Sequence, residues 1–299
     1  MYTGFWDQIK NAFTQQGNSL YKILAINLIV YAVLLVAWVF LSLSGAGDIY
    51  YAMRSYLMMP ASPSYFITQP WTIFTYMFAH DRFFHILFNL LFLYWFGLLV
   101  NEYLGSRKLA NLYILGGLAG GLFYMVIYNL APLFSDVVDR SLMLGASAGV
   151  YSIVVAAATL TPNTTFRLLL LGPVKIKYIA IFYVLVAFAN SAGSNAGGEL
   201  AHLGGAAMGF LYVVQLRNGR DLGVPVQVVG RFFERLFSNK PKVKVTYRKK
   251  NYEYKSEPLK KGEITSQEEI DRILDKIAEK GYDSLSKEEK RRLFDFSNK

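Results

Sequence analysis

Ser147 stands in the run Gly145-Ala146-Ser147-Ala148-Gly149-Val150-Tyr151, where small residues surround one hydroxyl at the head of an apolar stretch. A serine becomes a nucleophile when a general base takes its proton, and imidazole suits that task near neutral pH. The chain holds three histidines, His80, His85 and His202. It holds no cysteine, which excludes thiol nucleophiles, thiolate metal sites and disulfides. The run also matches the Gly-x-Ser-x-Gly elbow of soluble hydrolases, but an elbow needs a buried strand before the serine and an acid and then a histidine after it. Here Asp139-Arg140-Ser141-Leu142 precede the run and Ile153-Val154-Val155-Ala156 follow it, so the elbow is set aside. The plain alternative is that glycine, alanine and serine only let membrane helices pack closely.

Composition decides what kind of scaffold must position these groups. Of the 299 residues, 54% are hydrophobic and 17% charged, too apolar for an ordinary soluble enzyme. The charge is segregated: up to residue 216 there are 10 Lys/Arg and 7 Asp/Glu, and beyond it 21 and 14. The expected fold class is therefore all-α, a polytopic bundle of six transmembrane helices followed by a basic polar tail. Apolar runs of crossing or near-crossing length place the spans at 23–43, 83–100, 109–130, 141–160, 178–190 and 200–216. Residues 1–19 lack the features of a secretory signal, and their mix of Phe5, Trp6, Ile9 and Phe13 with Lys10 suits a short surface helix.

Lys and Arg set the orientation. Lys10, Lys22, Arg107, Lys108, Arg167, Lys175, Lys177 and the tail fall on one side, against Arg54, Arg82 and Arg140 on the other, so both termini are expected in the cytoplasm. Spans two, four and six then run from outside to inside, each with its polar group in its first turns: His85, Ser147 and His202. At 1.5 Å per residue, all three lie within about 10 Å of the outer boundary.

Gly205 and Gly209 on span six form a GxxxG contact that allows approach to Gly145, Ala148 and Gly149 on span four, so His202 is the better base for Ser147. His85 and Asn89, four apart on one helix face, become candidate donors to an oxyanion together with the Ser147 N–H. Tyr151, one turn after Ser147, is either a ring to stack on His202 or an ordinary core aromatic. Glu199, three before His202, is read as a carboxylate favoured by the start of a helix rather than as a third catalytic member.

Taken together, His80-x4-His85-x3-Asn89, Gly145-Ala146-Ser147, Tyr151 and Ala201-His202-x2-Gly205-x3-Gly209 resemble the rhomboid intramembrane serine proteases over about Trp71–Gly209. The resemblance implies a six-helix bundle with a Ser147–His202 dyad and no catalytic acid, an oxyanion site from His85, Asn89 and the Ser147 N–H, and His80 in support. It implies no cofactor or metal, and a substrate that is itself a transmembrane helix, cut near the outer face. It implies too that the fifth span and the 191–198 loop act as gate and cap. Many family members carry glycine where this chain has Ala148, and a Trp-Arg pair in the first loop where Arg54 has tyrosine neighbours.

The domains expected are a segment 1–19, a membrane domain 20–217, a basic linker 218–262 and a helical-hairpin tail 263–299. Residues 223–237 are apolar and basic enough to lie on the inner leaflet, and the run 240–250 to be drawn to anionic lipid; nucleic acid is not an expected partner. Ser266-x-x-Glu269 and Ser286-x-x-Glu289 read as capping boxes and Gly281 as a helix stop. Ile270, Ile273, Leu274, Ile277, Leu285, Leu293 and Phe294 supply a small core. The tail resembles a cytosolic appendage of some bacterial rhomboids and offers a surface for a cytosolic partner. The expected setting is a bacterial inner membrane. The competing functions are a catalytically silent relative that binds transmembrane helices as chaperone or adaptor, and a transporter with a histidine relay. The transporter would require acidic residues inside spans, which the sequence lacks.

Overall fold

The structure, a computed structural model, describes residues 18–168, 172–237 and 266–297. The chain divides into two compact units, Met1–Asn239 and Lys240–Lys299. The expected surface helix at 1–19 and the basic run 240–250 fall almost wholly outside the described residues.

The first unit opens with α1 (Ser19–Leu43), whose residues are apolar on nearly all faces, as a helix in hydrocarbon requires. A long connection follows: α2 (Gly47–Ser55), a two-residue strand β1 (Met59–Pro60), and the short helices α3 (Pro63–Thr68) and α4 (Thr72–Thr75). Next comes α5 (Phe83–Leu104), which Gly105 stops with a φ of 80°, and α6 (Ser106–Leu130) starts at the following residue. After two 3-10 turns, β2 (Leu142–Met143) leads into α7 (Ser147–Leu160). Strands β3 (Thr165–Leu168) and β4 (Gly172–Lys175) precede α8 (Ile176–Asn190), α9 (Ala196–Arg217) and α10 (Val224–Phe237).

Among the described residues, α1, α5 and α6 are long and apolar enough to cross a membrane by length and composition. Helices α7 and α8 have 14 and 15 residues. At 1.5 Å per residue α7 is about 21 Å long, less than the ~30 Å hydrocarbon core.

Helix α7 sits at the centre because glycines let α6 and α9 close on it backbone to backbone. A methyl group at Gly205 or Gly209 on α9 would fall inside the carbonyls of Ala148 or Ser152 on α7. One at Gly120 on α6 would lie 2.6 Å from the Ala201 carbonyl. Such contact stands in for the hydrophobic drive that lipid does not supply between helices. Three hydroxyls inside the bundle are paired with main chain: Ser152 donates to the Leu112 carbonyl at 3.0 Å, Tyr76 to that of Gly117 at 2.6 Å and Tyr113 to that of Met77 at 2.6 Å.

The long connection docks against the same end of the bundle. Met59 pairs antiparallel with Met143, Trp71 Nε1 donates to the Tyr56 carbonyl at 2.9 Å and Thr75 Oγ1 to that of Leu57 at 3.0 Å. Arg54 bonds Asp81 at 2.9 Å and lies over the Tyr51 ring.

Two expectations change, and one link gains a structure. The fourth span does not begin at Ser141: residues 142–143 are extended and paired with β1, and the helix begins at Ser147 itself. The link between the fourth and fifth spans is a β-hairpin, Thr165 opposite Lys175. The stretch assigned to a linker after 217 contains α10, which belongs to the first unit. Asp221 holds its start, accepting from the Gly223 N–H at 2.8 Å and the Tyr212 hydroxyl at 2.9 Å.

Among the described residues, the second unit holds α11 (Ser266–Lys280), a 3-10 turn and α12 (Lys287–Ser297). Gly281, at φ 78°, closes α11. Ser286 and Glu289 form a reciprocal cap, with the Ser286 N–H donating to the carboxylate at 2.7 Å and the Glu289 N–H to the hydroxyl at 3.2 Å. Ile270, Ile273 and Leu285 are buried, with Ile277 and Leu293 beside them. Leu274 and Phe294, expected in this core, are exposed.

Candidate active site

Gly145 is the point from which the site is built. Its φ of 132° is one that side chains rarely tolerate, and a Cβ there would meet the His85 ring at 2.7 Å. Its N–H donates to the Tyr76 carbonyl at 2.9 Å, which anchors the turn. The turn delivers Ser147 as the first residue of α7, where the opening N–H groups have no intrahelical acceptor. They form the positive end of the helix dipole, aimed at the space around the serine.

His202 comes from the second turn of α9. Its Nε2 lies 2.7 Å from Ser147 Oγ, although the two residues are 55 positions apart. The Tyr151 ring stacks on the imidazole at 4.1 Å and 9° between planes. The other ring nitrogen, Nδ1, lies 3.1 Å from Glu199 Oε2. Ser147, Tyr151 and His202 face a cavity of about 1360 Å³ that is also lined by His85, Asn89 and Tyr183. A serine hydroxyl with an imidazole on one side, helix-start N–H groups on the other and open space before it can attack a carbonyl carbon.

Residues 68–219 match the Rhomboid domain family. The chain belongs to the rhomboid family. Curated relatives include RHOMBOID-like protein 12, mitochondrial, of Arabidopsis thaliana, 32% identical over 159 residues, which are 50% of this chain and 47% of the relative. Rhomboid protein 1, mitochondrial, of Saccharomyces cerevisiae is 29% identical over 232 residues, 74% of this chain and 60% of the relative. The chain thus spans about half the length of the curated relatives it matches. Residues 261–299 match a family of unknown function.

The other candidate residues of this rhomboid divide by what they touch. His80 supports the turn rather than the cavity: it is buried, and its Nε2 accepts the Ala146 N–H at 3.3 Å. Asn89 lines the cavity, but its Nδ2 donates to the His85 carbonyl at 2.9 Å and lies 3.4 Å from His80 Nε2. In this arrangement one of its amide hydrogens is held by its own helix. His85 is half-buried, packs edge-on to His80 at 5.1 Å and lies against Gly145 beside the serine. Gly205 and Gly209 act at a distance from the chemistry, by letting α9 reach α7.

Ala148, which departs from the glycine that the resemblance implies, does not keep α7 from α9. Its methyl points at Gly120 on α6, while its carbonyl is the atom that meets Gly205. Sequence reasoning discounted Glu199. The signal was present in its spacing, since residues three apart on a helix share a face.

Proposed function

We propose that this rhomboid is an intramembrane serine endopeptidase that cuts transmembrane helices of membrane-protein substrates near the outer face. The observation that carries the reading is the 2.7 Å contact between Ser147 Oγ and His202 Nε2 at the floor of an open cavity. Nε2 takes the hydroxyl proton as Oγ adds to the scissile carbonyl carbon, and the negative charge passes to the carbonyl oxygen. The Ser147 N–H and His85 are placed to meet that charge, with Asn89 joining them if its amide turns from the His85 carbonyl. Nε2–H then protonates the leaving amine, and a water deprotonated by the same nitrogen releases the acyl group. Because α7 is shorter than the hydrocarbon core, water reaches the serine from the cavity.

A helical peptide bond is shielded by its own hydrogen bonding, so the substrate must unwind to be cut. That favours segments carrying helix-weakening residues. Helix α8 and the 191–198 loop are the proposed gate and cap, and Phe92 and Tyr183, at 4.9 Å between rings, join α8 to α5. We further assign the chain to a bacterial cytoplasmic membrane with both termini inside, on the Lys/Arg asymmetry and the likeness of its tail. The domains are assigned as a segment 1–19, a membrane domain from residue 20 that takes in α10, a basic linker up to 262 and a tail 263–299, and the tail is assigned to a cytosolic partner.

The test is covalent labelling of the purified chain by a fluorophosphonate probe. Wild type is expected to label, and Ser147→Ala and His202→Ala to remain unlabelled. Equal labelling of all three proteins refutes the nucleophile. A wild type as inert as the variants favours instead a silent helix-binding relative.

A further inference from the structure

The geometry points to Glu199 as the positioning residue of this site, a carboxylate that fixes the tautomer and orientation of His202. The inference rests on the protease reading above and extends it from two residues to three.

A carboxylate in the first turn of α9 is favoured by the helix dipole whatever else it does, and such a side chain ordinarily extends into water. Glu199 does not. Its side chain is 16% exposed and that of His202 13%, and Oε2 lies 3.1 Å from Nδ1. The two ring nitrogens then have different duties. A carboxylate can only accept, so the ring hydrogen belongs on Nδ1 and Nε2 is left bare to accept the Ser147 hydroxyl at 2.7 Å. Nδ1–H donates to Glu199 Oε2, which holds that tautomer against the other.

Tyr151 completes the restraint. Its stacked ring fixes the plane of the imidazole but not its rotation within that plane, and the carboxylate supplies the missing constraint. When Nε2 takes the serine proton, the ring carries a positive charge with both nitrogens protonated. The Glu199 carboxylate faces that charge at 3.1 Å. No proton passes to it.

Other polar and titratable groups line the cavity that His202 faces: His85 from α5, Ser147 and Tyr151 from α7, Tyr183 from α8, Tyr124 and Tyr128 from α6, and Asp81, Arg82 and Arg140 from the connections. Glu199 alone among the described carboxylates is hydrogen-bonded to the ring.

The experiment uses the full chain in detergent and reads the second-order rate of fluorophosphonate labelling between pH 5 and 9 for wild type, Glu199→Gln, Glu199→Ala and Glu199→Asp. Glu199→Gln keeps the shape and removes the charge. It is expected to label about tenfold more slowly or worse at neutral pH, with the acidic limb of its profile moved to lower pH, because the imidazolium loses a neighbouring anion. Glu199→Ala should fall at least as far, and Glu199→Asp should recover part of the rate.

A second measurement needs no Glu199 variant. The chain has three histidines, so selective 15N-histidine spectra, with His202→Asn for assignment, are expected to show Nδ1–H and a bare Nε2 at His202. Wild-type rate and an unmoved acidic limb in Glu199→Gln overturn the inference, as does a slower rate with that limb in place, or an Nε2–H tautomer in the wild type. Labelling of Ser147→Ala at the wild-type rate removes the protease reading itself, a failure distinct from these.

Discussion

Replacing Gly205 by alanine puts a methyl group inside the Ala148 carbonyl, with the Ala148 carbonyl carbon at 2.8 Å and Cα at 3.1 Å. No side chain can move aside there, because the obstacle is main chain at the first turn of α7. The two helices must separate by about 1 Å, a misplacement of the size that costs roughly a hundredfold in rate when it falls between reacting groups. The Ser147–His202 contact is 2.7 Å and cannot stretch that far as a hydrogen bond. Overpacking of this kind also destabilises by about 1–3 kcal/mol.

Gly47→Ala is the control, since nothing lies within 4 Å of its Cβ position. Fluorophosphonate labelling and thermal unfolding in detergent, run side by side, should show Gly205→Ala slow and destabilised and Gly47→Ala unchanged in labelling. Labelling of Gly205→Ala at the wild-type rate would refute the claim that direct backbone contact sets the distance between hydroxyl and imidazole.

Gly145→Ala should abolish labelling even if the protein still folds, because its φ of 132° and the His85 ring both exclude a methyl group; detergent-extracted protein checks yield and labelling together. Tyr151→Ala removes a stacked ring pair worth about 0.5–1.5 kcal/mol. It should slow labelling several-fold, while Tyr151→Phe, which keeps the ring, labels close to wild type. In the tail, Lys276 and the Ser286 cap hold the Glu289 carboxyl at about 2, below its ordinary 4.5. That stabilisation is present in full above pH 4.5 and lost as pH falls towards 2. Hydrogen exchange of the α12 amides in the full chain should therefore accelerate across that window, and Glu289→Gln should flatten the dependence.

Much of this architecture was legible because lipid demands long apolar runs and rejects unpaired polar groups inside them. The spans, the level shared by His85, Ser147 and His202 and the small-residue seams follow from those two requirements. The start of α7 was not legible: Ser141–Leu144 is apolar enough to continue a span, and only pairing with Met59–Pro60, more than eighty residues earlier, draws it out as a strand. The hairpin before α8 was hidden for a related reason, since cross-strand pairing leaves a weak trace in segments of four residues. At Glu199 the favourable helix start was a sufficient explanation and concealed the neighbouring imidazole. The engagement of Asn89 by its own helix is invisible to any spacing argument, because it depends on a rotamer.

The meeting of α7 and α9 is made by main-chain atoms, whereas the outer parts of α5 and α8 present bulky exposed side chains such as Phe84, Phe88 and Phe182. Drift at those outward positions leaves the bond geometry at Ser147 unaltered. On the protease reading, a lineage of this protein is thus free to change what the cavity admits while the hydroxyl and imidazole stay where they are.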